Sequence, residues 1–341
     1  MNAGCCRLLL LALLAACLGG APDAVLARGW AVGLHHLTLY DPLDQQPMQA
    51  IVFYPASLAA GETALGLYRV AATRDAPIAM GRFPLILLSH GNSGSPLAHH
   101  DLATALARQG FVVLAVVHPG DNDQDQSRQG SLSNLYGRPL QLSAAIDAAA
   151  ADPLLAASLD SARVGVIGYS AGGESALILA GAQPRLQHLR DYCLQVPDDA
   201  DACATRGELR SDREDLQASA DRRVAALLLL APLGLLFDQQ ELAQVRVPVL
   251  LYSGDHDQVL ALQRNAGALR RSLPLTPEYR LLPGAGHFVF MAPCTVEMAQ
   301  LLPYLCEDAE GVDRAAIHHA LSLDAARFFT ENLGTAGEDG R

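Results

Sequence analysis

Residues 164–173 read Val164-Gly165-Val166-Ile167-Gly168-Tyr169-Ser170-Ala171-Gly172-Gly173. A β-branched run ends in Gly-x-Ser-x-Gly and passes at once into the alanine- and leucine-rich stretch Ser170–Ala180. That order predicts a strand, a sharp turn and a helix. A serine at such a turn carries its hydroxyl out of the sheet on a strained backbone. Side chains two residues to either side would collide with strand and helix, so glycine stands at both places. The turn also aims the Ala171 N–H at any negative charge that develops beside Ser170. A plain helix-capping serine is the bland reading; the preceding strand and the flanking glycines favour a nucleophile.

The same alternation extends outward from this turn. Leu34–Tyr40 and Gln49–Tyr54 read as an opening antiparallel pair, with Asp41-Pro42 starting the turn between them. Buried-strand runs follow at Pro84–Ser89, Phe111–Val117, Val164–Gly168, Val224–Leu230, Val249–Ser253 and Tyr279–Leu282. They lack polar alternation, as parallel strands covered on both faces do. Helical stretches lie between them at Leu97–Gln109, Leu140–Leu159 (with Pro153 as a break), Ser170–Ala180, Val259–Arg271 and Asp313–Asn332. The expected fold is α/β, a mostly parallel central sheet of about eight strands with helices on both faces. Two polar stretches, 121–138 and 183–222, break the rhythm and are expected as cap-like insertions in a single domain spanning 28–341.

A serine nucleophile needs a base, and the base needs an acid to orient it. Of eleven histidines, His287 alone stands in a glycine-rich loop after the last strand, Pro283-Gly284-Ala285-Gly286-His287-Phe288, able to reach back over the strand ends. His35, His36, His99, His100, His318 and His319 fall on strands or helices and have blander explanations. The acid should follow strand Val249–Ser253, where Gly254-Asp255-His256-Asp257 offers two carboxylates. Asp257 is favoured because the turn needs room before the acid projects, which leaves Asp255 as a turn residue. A second oxyanion donor belongs in the loop after the third strand, Ser89-His90-Gly91-Asn92, where the Asn92 N–H is the candidate beside that of Ala171. His90 is read there as a structural hydrogen-bonder. His118-Pro119-Gly120-Asp121 ends the fourth strand, either as a wall of the cleft or as a plain turn.

Composition narrows the class further. The chain has 341 residues, half of them hydrophobic, and a formal charge of −12. That charge disfavours nucleic acid and anionic membrane surfaces as partners. Leu8–Ala16 is an apolar run behind Arg7, of signal-peptide rather than membrane-spanning length. Residues 1–27 are therefore expected to be a leader and the protein to be exported. Leu14-Ala15-Ala16-Cys17 has the form of a lipobox, whose lipidated Cys17 would be the one membrane tie; Val25-Leu26-Ala27 is the conventional alternative. Beyond the leader four cysteines remain, Cys193, Cys203, Cys294 and Cys306. Four cysteines allow three pairings. Local bridges, Cys193–Cys203 and Cys294–Cys306, are favoured because each closes a short loop. A zinc site is the rival, without the tight Cys-x-x-Cys spacing such sites use.

With these residues in place, the chain resembles the α/β-hydrolase superfamily, and within it the bacterial predicted dienelactone hydrolases, akin to platelet-activating-factor acetylhydrolases. The markers are Ser89-His90-Gly91-Asn92, Val117-His118-Pro119-Gly120, Gly168-Tyr169-Ser170-Ala171-Gly172, Gly254-Asp255-His256-Asp257 and Gly286-His287-Phe288, spread over residues 32–333. The resemblance implies a serine esterase acting on small-molecule carboxylic esters, with no metal or organic cofactor. True dienelactone hydrolases carry a cysteine nucleophile, so Ser170 withholds dienelactone itself as the implied substrate. Lipase, phospholipase or polyester hydrolase chemistry would use the same triad, and a non-catalytic binding protein on the same fold is the reading from another class.

Overall fold

The computed structural model describes Met1 and residues 29–58, 61–203 and 205–334. The expected leader and Cys17 lie outside the described residues. Strands β1 (Ala31–Tyr40) and β2 (Pro47–Ala56) form the antiparallel pair read from the sequence, with Leu34 opposite Phe53. A small hairpin, β3 (Thr63–Leu65) with β4 (Tyr68–Val70), and the two-residue β5 (Thr73–Arg74) come next. Then follow β6 (Phe83–Ser89), α1 (His100–Arg108), β7 (Val112–Val116), α2 (Leu132–Ala151) and β8 (Leu159–Tyr169). After β8 come α3 (Ala171–Leu179), the short α4 (Leu186–Gln195) and α5 (Ala200–Cys203), β9 (Val224–Leu230) and β10 (Val249–Gly254). The chain closes with α6 (Ala266–Ser272), β11 (Glu278–Leu282), a 3-10 turn (His287–Phe290), α7 (Val296–Leu301), α8 (Pro303–Cys306) and α9 (Arg314–Leu333).

The sheet has nine strands in the order β11-β10-β9-β8-β6-β7-β2-β1-β5, one more than expected. The addition is β5, which pairs with β1 through only two residue positions and shows no periodicity from which to read it. From β7 to β11 every neighbouring pair is parallel, whereas β2 meets both β1 and β7 antiparallel. Successive residues of β6 face opposite cores, as the two-residue period of a strand dictates. Leu85 and Leu87 pack with α2, α3 and α6; Ile86 and Leu88 pack with α1 and α9. The chain runs from β6 to β7 on one side and then returns to place β8 on the other. Between β6 and β8 lies a switch point, where open α/β sheets leave a crevice at the carboxyl ends of their strands. Ser89 and Gly168 pair across that boundary, so the loops after them emerge side by side.

Several helices depart from the sequence reading. α2 begins at Leu132, not Leu140, so residues 132–138 of the expected 121–138 insertion are helical. Ser131 caps it, accepting the Asn134 N–H at 3.2 Å. It ends at Ala151 because Pro153 forces Asp152 into an extended conformation, and Leu159 already belongs to β8. The helix expected over Val259–Arg271 is confined to Ala266–Ser272; Asp257 Oδ1 accepts the N–H groups of Val259 and Leu260, and the stretch up to Ala266 runs in turns. Helices α7 and α8 interrupt a stretch for which no element was expected.

Both cysteine pairs are disulfides in the local arrangement, Cys193–Cys203 and Cys294–Cys306, which removes the zinc reading. The first ties α4 to α5, and the second spans α7 and α8. Two such bridges suggest an extracellular or periplasmic protein.

Candidate active site

Ser170 sits between β8 and α3 with φ 54° and ψ −120°, a left-handed backbone that a non-glycine residue adopts only under constraint. The constraint is visible at its neighbours. A Cβ on Gly172 would lie 2.0 Å from the Ser89 carbonyl oxygen, so only glycine lets the elbow nest against the end of β6. A Cβ on Gly91 would lie 3.1 Å from Ser170 Cβ, so the loop after β6 also passes directly against the serine. Ala171 occupies the first position of α3, where helix geometry leaves its N–H without an intrahelical partner. Neither the Ala171 nor the Asn92 N–H donates to protein among the described residues. Both residues line the cavity that holds Ser170.

His287 opens the 3-10 turn after β11, and its Nδ1 lies 2.8 Å from Asp257 Oδ2. Both side chains are almost sealed from water, at 3% and 2% exposure. Asp257 is itself oriented by its other oxygen, which accepts Val259 N–H at 2.9 Å and Leu260 N–H at 2.7 Å. Asp255 is engaged elsewhere: its Oδ1 meets His256 Nδ1 at 2.7 Å and accepts the Gly284 N–H at 2.6 Å. These hydrogen bonds hold its carboxyl below the usual range, that of His256 first. Asp255 thus braces the β11 turn, while Asp257 faces the histidine. Tyr169 packs its ring 5.1 Å from that of His287 and donates its hydroxyl to the His287 carbonyl at 3.3 Å.

Behind the Ser89–Asn92 loop lies a buried polar network that sequence reasoning missed. Arg138 of α2 donates Nη1 to Asp121 Oδ2 at 2.6 Å, and Nη2 to Ser89 Oγ at 3.3 Å and to the His90 carbonyl. Asp121 also accepts from Ser93 N–H, Gln129 Nε2 and Asn134 Nδ2. Burial alone would raise the Asp121 carboxyl; the Arg138 charge and these donors hold it below its ordinary value. His118-Pro119-Gly120-Asp121 is the turn of the two alternatives, closed by the Asp121 N–H on the His118 carbonyl at 3.1 Å, and it does not line the cavity. The His118 ring is fully buried; Nδ1–H donates to Gln141 Oε1 at 2.8 Å and Nε2 accepts from Ser89 Oγ at 2.9 Å. His90 is the structural hydrogen-bonder expected, joining the Gly91 carbonyl and the His118 N–H. Burial and the adjacent Arg138 charge depress both histidines, His90 to about 3. Both rings are therefore neutral, as their acceptor nitrogens require. The network rigidly links the loop carrying Asn92 to the loop after β7.

The cavity is about 630 Å³. Leu189 of α4, Ala202 of α5, Thr205 and Leu209 come to it from the 183–222 stretch, and Gln129, Ser131 and Asn134 from the 121–138 stretch. Glu174 also lines it, one turn along α3 from Ser170. A lone charge in the run of small and apolar residues Ala171–Leu179 was the signal that could have singled it out. Among the described residues one cluster, His188, Asp238 and Glu241, has metal-ligand spacing. Its donors are engaged internally: Glu241 Oε1 holds Arg185 Nε at 2.9 Å, and Oε2 holds His188 Nε2 at 3.2 Å.

Comparison with known proteins agrees with this architecture. The "Dienelactone hydrolase family" model matches residues 69–192. A ferulic acid esterase from Streptomyces cinnamoneus superposes with a TM-score of 0.60 at 19% identity, covering 92% of each chain. A dienelactone hydrolase from Anabaena variabilis gives 0.50 at 15% identity, over 87% of this chain and 97% of the other. None of the curated proteins matches the chain at significance. The fold is that of an α/β-hydrolase. In sequence, the chain's similarity is to the dienelactone hydrolase family over residues 69–192.

Proposed function

We propose that the protein is an exported serine esterase that hydrolyses carboxylic esters through Ser170, His287 and Asp257. The observation that carries this reading is the buried Asp257–His287 hydrogen bond in a cavity shared with the strained Ser170 and two uncommitted N–H groups. The ferulic acid esterase likeness, which concerns fold, is compatible with it.

In this mechanism Ser170 Oγ attacks the ester carbonyl carbon and passes its proton to His287 Nε2. Asp257 holds Nδ1–H, fixes the tautomer and stabilises the imidazolium that forms. The N–H groups of Asn92 and Ala171 receive the charge that appears on the carbonyl oxygen. Collapse of the tetrahedral adduct breaks the bond to the alcohol, which leaves with the proton from His287. Water then attacks the acyl-serine, gives a proton to His287, and the acid product departs as Ser170 regains its hydrogen. Every step uses side chains and backbone of this chain. The 183–222 and 121–138 stretches act as walls over the substrate, and a cavity of about 630 Å³ suits a small-molecule ester.

Export is supported by the two disulfides and by the composition of residues 1–27. Mass spectrometry of the mature N-terminus separates a lipidated Cys17 from cleavage after Ala27. The enzymatic reading is tested by labelling purified mature protein with a fluorophosphonate probe beside Ser170→Ala, with p-nitrophenyl acetate and butyrate as substrates. Labelling and turnover that vanish in the variant are expected. Folded wild-type protein that neither labels nor turns over would replace the esterase with a binding protein.

A further inference from the structure

The cavity beside Ser170 has two kinds of lining. Leucines from the loop after β9 and from the 183–222 stretch make one part apolar. The other part is polar and comes from the start of α2, the loop before it, and α3. The polar groups there are half committed. Gln129 donates its amide nitrogen to Asp121 Oδ1 and Ser93 Oγ, and Asn134 donates its own to Asp121 Oδ2. Asp121 thereby fixes which way both amides face, because only the NH2 end can serve a carboxylate. The amide oxygens of Gln129 and Asn134 accept no hydrogen bond among the described residues. The Glu174 carboxyl, half-buried on the same cavity, has no hydrogen-bond partner among them either.

Polar groups that line a binding cavity without a protein partner are complementary to a ligand that supplies the missing bonds. A fixed amide acceptor beside a carboxyl suits a hydroxyl, which donates to the one and accepts from the other when that carboxyl is protonated. We propose that Glu174 is a specificity-determining residue: with the amide oxygens of Gln129 and Asn134 it selects esters that carry a free hydroxyl on one arm, the other arm lying among the leucines. The inference rests on the esterase reading and deepens it.

Two features sharpen the ligand class. Burial pushes the Glu174 carboxyl up to about 8, against the pull of the Arg138 charge and with the help of Asp121. That shift favours the neutral acid, which can donate as well as accept. A neutral acid close to a buried guanidinium gives a cationic substrate little to pair with, so a hydroxyl is preferred over a quaternary ammonium. The subsite also stands one helical turn from the nucleophile, within reach of a short substituent on an ester attacked by Ser170.

Four esters decide it, followed by pH-stat titration of the mature enzyme at pH 7. Ethyl butyrate is the reference, ethyl 3-hydroxybutyrate places the hydroxyl on the acyl arm, 2-hydroxyethyl butyrate places it on the alcohol arm, and butyrylcholine is the cation. One hydroxylated ester should exceed ethyl butyrate in kcat/KM by roughly tenfold in the wild type. That ratio should stay within about threefold in Glu174→Gln, which keeps a donor and an acceptor, and fall towards one in Glu174→Leu. Glu174→Ala gives the same reading should leucine disturb packing. A wild-type ratio near one for both hydroxylated esters, a ratio unchanged in the Leu and Ala variants, or a preference for butyrylcholine would overturn the assignment. Those failures leave Ser170-dependent turnover standing. Loss of turnover on every ester would instead remove the esterase reading, and the subsite with it.

Discussion

Asp257 Oδ2 lies 2.8 Å from His287 Nδ1, whereas Asp255, two residues earlier, spends its carboxylate on His256 and the Gly284 N–H. The two acids of one loop therefore do different work, one orienting a ring and the other bracing a turn. Asp257→Asn should lower kcat by about 10⁴-fold, because an amide can hold the imidazole in the wrong tautomer. Asp255→Asn should stay within roughly tenfold, its loss being one of loop order. Steady-state kinetics on p-nitrophenyl butyrate compares them, and a larger loss at Asp255 would reassign the acid.

The Arg138–Asp121 pair carries the second expectation. Both side chains are buried, at 3% and 0% exposure, and removing one partner strands the other's charge. Arg138→Met should cost about 3–5 kcal/mol in urea unfolding. It also frees Ser89 Oγ and the His90 carbonyl, so the loop presenting Asn92 should loosen. Removing both charges, with Asp121→Asn added, should restore part of the stability. A double variant no better than the single one would show that the pair's charges are not what holds the loop.

Buried histidines predict the direction of acid sensitivity. Burial lowers His90 to about 3 and His99 to about 4, and lowers His118 well below its ordinary 6.5. Below pH 6.5 the unfolded chain takes up these protons before the folded one does. Stability is therefore complete above 6.5 and is lost as the pH falls from 6.5 towards 4, by roughly 1 kcal/mol per pH unit for each histidine. Glu174, raised to about 8, acts in the opposite sense and gives up its contribution as the pH rises from 4.5 to 8. Urea midpoints between pH 7 and 5 should fall, and His99→Gln should reduce the slope. An unchanged slope would mean that His99 is not a buried neutral ring.

The disulfides give a prediction with a local address. Cys193–Cys203 and Cys294–Cys306 close loops of 10 and 12 residues, and each should contribute about 3 kcal/mol by restricting the unfolded chain. Serine in place of Cys193 and Cys203 should also change kinetics, because α4 and α5 carry Leu189 and Ala202 into the cavity. Serine in place of Cys294 and Cys306 should act mainly on stability. Thermal unfolding and kcat/KM of the two double variants separate the effects; identical kinetic losses would deny the first loop its place in the cavity wall.

What was legible in the sequence was what is local. The elbow announces itself because strand, Gly-x-Ser-x-Gly and apolar stretch follow one another within a few residues, although Gly172 answers to Ser89 on a distant strand; the parallel strands do so because burial on both faces leaves uninterrupted apolar runs. The start of α2 lay hidden in a stretch whose polar composition reads as an insertion and which runs up to Gly137 and Pro139. Gly137 is there because a Cβ would lie 2.7 Å from Leu43, on a loop distant in sequence. Asp41, fully buried, meets Arg128 and Gln141, 87 and 100 residues away, and no spacing rule reaches that far. The stretch after Asp257 has helical composition, yet its first N–H groups turn back to the carboxylate that meets His287, and the helix begins only at Ala266.

A last relationship concerns how His287 is held. His318 of α9 presents Nε2 to the Val289 carbonyl at 2.8 Å and Nδ1 to Asp101 Oδ2, so one ring ties the 3-10 turn to both α9 and α1. His99 adds a second tie through the Phe290 carbonyl at 2.8 Å. Both carbonyls lie within three residues of the proposed base, and neither histidine is among the cavity's lining residues. A shift of about 1 Å at a catalytic group can cost 10²-fold. His318→Leu should therefore lower kcat by about 10–100-fold with KM little altered, and slow fluorophosphonate labelling in proportion. His318→Asn, which keeps one donor, should lose less. Equal losses in the two variants, or a loss confined to KM, would mean that the turn holds His287 in place without this clamp.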